Sequence, residues 1–132
     1  MITLEVDGIP TPWKAHEGFG RRARNPRIKE KHYCQWQIKA QYNQKNPLTG
    51  PVILSVAFHM PIPTGTSKPR AKQMLNGVMH HIKRPDIDNL QKFILDCLKT
   101  IVFEDDSQIF EIQAKKLFSE TPKTVIHIRS AE

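Results

Sequence analysis

Arg84-Pro85-Asp86-Ile87-Asp88-Asn89-Leu90-Gln91-Lys92 opens the stretch on which the reading turns, and Phe93, Ile94, Cys97, Leu98 and Ile101 complete it. Counted from Leu90, the apolar residues fall at i, i+3, i+4, i+7, i+8 and i+11, which predicts a helix over 87–101 with one buried face. Upstream, the apolar, β-branched run over 52–60 predicts a central strand. Ile2, Leu4 and Val6 alternate with Thr3, Glu5 and Asp7, so a first strand is expected over 2–7, ended by Gly8 and Pro10. Downstream, 107–118 and 123–129 alternate as two antiparallel strands around the Thr121-Pro122 turn. A Lys-, Gln- and Glu-rich segment over 26–45 predicts a second helix, opened by Asn25 and Pro26, on which Ile28, Tyr33 or Cys34, Trp36 and Ile38 or Ala40 recur. The segments 13–27 and 61–79 hold Gly, Pro and basic residues without periodicity and are expected to be long loops. These elements give an α/β (α+β) fold with two main helices, in one domain over 1–132.

The chain has 132 residues, a net charge of +7 and two cysteines without ligand spacing, which excludes a disulfide framework or a zinc ribbon. There is no apolar run long enough for a membrane span, so no membrane is expected, and Glu5 and Asp7 mark the start as a strand rather than a leader. A reducing cytoplasm is the expected compartment. The charge is segregated: residues 1–85 carry 14 basic and 4 acidic side chains, residues 86–132 carry 6 and 9. A basic surface of this kind gains affinity for nucleic acid by counterion release. Lys14, Arg21, Arg22 and Arg24 in the first loop, Lys68, Arg70 and Lys72 in the second, and Arg84 are the expected phosphate contacts.

Asp86, Asp88, Glu104, Asp105 and Asp106 form the dense acidic group of this basic chain. Acids beside a polyanion-binding surface repel the ligand unless a divalent cation bridges carboxylate to phosphate, and Mg²⁺ is the cation suited to that task. It activates water and stabilises charge at phosphorus, which is nuclease chemistry. Taken singly, Asp86 and Asp88 also read as helix caps, with a capping-box imitation at Asp88 and Gln91 or at Asp86 and Asn89, and Asp105 and Asp106 as a solvated turn. Caps and turns need one Asp each, so the group as a whole favours a site. Lys92 follows Asp88 at i+4, where its ammonium can reach a bound phosphate, while Asp96 reads as its surface pair. His80 and His81 read as solvated, and Trp13 and Phe19 either stack on an unpaired base or pack under their loop.

The string Arg84 to Lys92, the apolar helix after it and Glu104-Asp105-Asp106-Ser107-Gln108 closely resemble the RusA family of Holliday junction resolvases, small phage- and prophage-associated endonucleases. The resemblance is strong over 83–108 and weaker over the first strand with its Gly8-Ile9-Pro10-Thr11-Pro12 entry. It implies that Asp86, Asp88 and Asp106 are the Mg²⁺ carboxylates and catalytic residues, that Lys92 is the required lysine, and that four-way junction DNA is the substrate. It also implies a homodimer with a mixed sheet, whose two-fold suits paired cuts in strands of like polarity. The Trp13–Arg27 loop is longer and less Pro-rich than the family's usual entry segment. The rival readings are a non-catalytic basic nucleic-acid-binding protein and a metal nuclease acting on flaps or RNA.

Overall fold

The computed structural model describes residues 1–131, apart from the side chain of Arg22, so that expected phosphate contact lies outside the described part. Seven main elements follow in chain order: β1 (Ile2–Asp7), α1 (Ile28–Gln41), β2 (Val52–Pro61), α2 (Lys68–Leu75), α3 (Ile87–Leu98), β3 (Ile109–Ser119) and β4 (Lys123–Ser130). The strands form one sheet in the order β1-β4-β2-β3. Among the described residues β2 and β3 are the one neighbouring pair that runs parallel, so the sheet is mixed and the fold is α+β, as expected. No described helix is long and apolar enough to cross a membrane.

Alternation builds the core. Along β2 every second residue, from Val52 through Leu54, Val56 and Phe58 to Met60, is buried, and the residues between are half-buried. Leu4 and Val6 of β1 and Ile126 and Ile128 of β4 join that face. Against it pack Cys34 and Ile38 of α1 and the full stripe of α3, namely Leu90, Phe93, Ile94, Cys97 and Leu98. The stripe read from sequence is thus the seam between helix layer and sheet.

Three expectations change. First, β3 and β4 run in opposite directions but do not pair with each other, because β2 lies between them in the sheet. Alternation specifies a strand's faces and leaves its partner open. Second, 68–75 is a helix, not loop. Pro69 sits in its first turn, where the missing N–H costs nothing, and the Ala71 to Leu75 run consists of good helix formers. Third, α1 is shorter than 26–45 and turns its aromatics outward: Trp36 is 67% exposed and stacks on Tyr33, with ring centroids 6.4 Å apart. Gln37 is buried in its place. Its Oε1 accepts the Asp7 N–H at 2.8 Å, and the Gln41 amide bonds both the N–H (2.8 Å) and C=O (2.6 Å) of Glu5. The outer backbone edge of β1 is therefore satisfied by α1 side chains, whereas among the described residues the outer edge of β3 has no strand beside it.

Candidate nuclease site at the two ends of α3

At the start of α3, Asp86 occupies the N-cap position in extended backbone conformation, yet its side chain makes no capping hydrogen bond. Among the described residues no hydrogen bond or ion pair engages the carboxylate of Asp86 or Asp88, so neither serves as the structural cap that its position allows. The lead-in is held from β3, where Lys116 Nζ donates to the carbonyls of Lys83 (2.8 Å) and Pro85 (3.0 Å). On the other side the Trp13 N–H donates to the Asn89 carbonyl at 2.8 Å, which lays the entry of the first loop over the first turn of α3.

Between these supports lies an open cleft of about 600 Å³, walled by Pro12, Trp13, Lys14, Arg27, Arg84 and Asp86 among others. Lys14 and Arg84 were expected at the nucleic-acid surface. Arg27 was not, because from sequence it is one more cation in a basic run. Lys92 Nζ lies 4.1 Å from the centroid of the Trp13 ring, a cation–π contact that holds the ammonium beside the cleft. The Lys92–Asp96 pair is not among the ion pairs of the described residues. Trp13 packs against the core, as its packing alternative predicts, and still offers a face to the cleft.

The far end of α3 presents the remaining acids. Asp105 is fully engaged: its carboxylate accepts the Ser107 N–H at 3.0 Å and pairs with Lys99 Nζ at 3.1 Å, and Gln108 returns the capping bond to its backbone N–H. The Ser107 bonds and then Lys99 hold this carboxyl well below the usual carboxylate range. Asp106, its neighbour, differs in every respect. Its Oδ1 is enclosed and has no hydrogen-bond partner among the described residues. Burial raises its pKa, Asp96 and Asp105 raise it further, and Lys99 opposes them. Asp96 is thus near enough to Asp106 for its charge to act there, a neighbour that sequence spacing does not reveal.

A hard divalent cation suits this donor set: carboxylate oxygens free of capping duty at one end, an orphaned enclosed carboxylate oxygen at the other. The donors do not converge within one chain. Among the described residues no three His, Cys, Asp or Glu side chains gather to hold one metal ion. The 12 residues of α3, about 18 Å long at roughly 1.5 Å per residue, lie between the two acid groups in the chain. The other expected phosphate contacts also divide, with Arg21 and Arg24 in the first loop and Lys68, Arg70 and Lys72 along α2.

Residues 15–129 match the model of a family described as "Endodeoxyribonuclease RusA". The chain is also similar to a protein of Bacillus subtilis (strain 168) described as "Uncharacterized protein YqaN", at 30% identity over 105 residues that cover 76% of this chain and 74% of that one.

Proposed function

The chain belongs to the RusA endodeoxyribonuclease family, and from that premise we propose that it is a Mg²⁺-dependent endonuclease that resolves four-way DNA junctions in recombination and repair. The observation that carries the reading is the Asp86 cleft, where an unengaged carboxylate stands among Lys14, Arg27 and Arg84. The cations hold a phosphodiester there, and the acid is tolerable beside it only when a divalent cation offsets the repulsion. Asp86 and Asp88, with Asp106, would hold Mg²⁺, which supplies an activated water and charge stabilisation at phosphorus. Lys92, carried on the Trp13 ring, neutralises charge that develops on the phosphate oxygens.

The separation along α3 supports a homodimer as the active form. β3 has an open edge, begins just after Asp106 and passes the start of α3 at Lys116. An antiparallel pairing of β3 with a second β3 brings the Asp106 end of each chain against the Asp86 end of the other, so that each site draws acids from both. Mixing Asp86→Asn and Asp106→Asn proteins tests this. A mixed dimer with shared sites has one site free of both changes, so nicking of a junction should return to a readily measured fraction of wild type. If each site lay within one chain, the mixture would stay as inactive as its components. The activity itself is tested on labelled four-way junction, linear duplex, flap and RNA hairpin with Mg²⁺ or EDTA. Selective Mg²⁺-dependent junction cleavage is expected, while tight binding without cleavage, or preferred cleavage of flap or RNA, would establish a rival reading.

A further inference from the structure

Two cavities lie side by side along α2 and share Pro63, Arg70, Met74 and Lys83 as a common wall. One, of about 350 Å³, is apolar, with Met74, Met79 and Phe118 around it. In its wall His81 lies against the Phe118 ring at 5.2 Å between centroids, and the His81 Nδ1 is enclosed without a hydrogen-bond partner among the described residues. Burial, followed by the Lys116 charge, lowers the His81 pKa and so favours the uncharged ring. The other cavity, of about 440 Å³, is less apolar, with Thr64, Thr66 and Ser67 in its wall. Ser67 stands at the N-cap of α2 with its hydroxyl not used as a cap. The whole segment 61–85 contains five Lys and Arg and no acid.

We infer that the two cavities form one nucleotide subsite, the apolar chamber taking an unpaired base and the hydroxyl-lined one its phosphate, beside Arg70 and Lys83. An uncharged apolar ligand would leave the two cations without a role, and a free phosphate would leave the apolar chamber without one. A nucleotide joins a flat π face to an anion, as the adjoining chamber and cations require. Thioether, imidazole and phenyl walls suit a stacked base of any identity. Lys83 walls both cavities and Arg84 to Asp86 wall the cleft, so a seated base belongs to a nucleotide close to the phosphate held there. This assignment rests on the DNA reading proposed above and adds to it a place where an unpaired nucleotide of the junction is held.

The test measures binding in EDTA, so that cleavage plays no part. A labelled single-stranded oligodeoxynucleotide is compared with its abasic counterpart, which keeps the phosphates and loses the bases, by fluorescence anisotropy. Wild type should bind the abasic strand about tenfold more weakly, the scale of one stacked base. Met79→Trp, which fills the chamber, should bring the two affinities together. Phe118→Leu, which keeps apolar volume without the ring, should reduce the ratio severalfold, and circular dichroism confirms that each variant is folded. Displacement of the intact strand by a deoxynucleoside monophosphate would make the seat one for free nucleotides, and a base-dependent ratio without such displacement one for a strand. Equal binding of both strands by wild type, or an unchanged ratio in folded Met79→Trp and Phe118→Leu, overturns the subsite. Junction cleavage by a protein that lacks the ratio would leave the nuclease reading standing without the subsite, and the ratio without Mg²⁺-dependent cleavage would do the reverse.

Discussion

The two ends of α3 carry the same residue type in opposite states. At the first turn, Asp86 and Asp88 have every opportunity to cap and do not, and the other charged side chains of the Asp86 cleft are cations. Beyond the far end, where a short helical turn over Asp106–Gln108 follows, Asp105 is consumed by that turn's capping box and a lysine, and the Oδ1 of half-buried Asp106 is enclosed with nothing to bond among the described residues. An aspartate's position relative to a helix therefore does not tell whether it is structural. What separates the two cases is whether a donor faces the carboxylate, since a satisfied acid is bound into the fold and an unsatisfied one is available to a ligand.

The sharpest way to break this contrast is to neutralise one acid of each kind. Asp86→Asn should slow single-turnover junction cleavage by at least a hundredfold, the scale of removing one transition-state hydrogen bond, with junction affinity unchanged or higher. Asp105→Asn should leave cleavage within a few-fold of wild type and lower the melting temperature instead. Equal falls in cleavage would erase the distinction between the ends. Lys92→Ala comes next, with cleavage slowed about a hundredfold and stability reduced by at most ~1 kcal/mol as the cation–π pairing with Trp13 disappears. Lys92→Arg keeps the charge but spreads it over a planar fork, and should recover binding without full activity.

The cations of the cleft give a smaller, graded effect. Replacing Lys14, Arg27 and Arg84 with Ala should reduce the slope of log affinity against log salt by up to ~3, one for each phosphate that is no longer neutralised. An unchanged slope would transfer binding to the α2 face.

The smallest effects are on stability, and they have opposite signs at adjacent residues. The folded pKa of Asp106 is raised, so folding takes up protons just above the ordinary carboxylate range, and stability falls as pH rises through that window. Asp106→Asn should raise the melting temperature at neutral pH by about 2 °C. The folded pKa of Asp105 is depressed, so its contribution is present above the ordinary carboxylate range and is lost as pH falls below it. Melting curves of the two variants from pH 3 to 8 should diverge in these directions, and parallel curves would contradict the assignments.

Much of this was legible in the chain itself, for identifiable reasons. The stripe from Leu90 to Leu98 fixes both a helix and its buried face, β1, β3 and β4 announce themselves by alternation, and β2 does so by its apolar, β-branched run. Helix α2 was hidden because Pro61, Pro63, Gly65 and Pro69 read as breakers, although a proline in the first turn breaks nothing. The outward turn of Trp36 was hidden because Gln37 outcompetes it for the interior only where a strand edge needs an amide. At the site, residue identities were readable and their grouping was not. The capping box that the sequence suggests at Asp88 and Gln91 forms instead at Asp105 and Gln108, and a 12-residue helix is a rod long enough to keep Asp86 and Asp106 apart.

The amides of Gln37 and Gln41 also bear on the order in which the molecule assembles. β1 pairs only with β4, and Glu5 meets Val125 across 120 residues of chain, whereas Gln41 reaches Glu5 across 36. Closing the shorter loop costs about 1 kcal/mol less in chain entropy. Docking on α1 is thus the cheaper first encounter for β1, and the glutamines hold the strand in register as a template to which β4 adds last. Such a latch replaces the slow search of a long-range strand pair with two steps of lower contact order.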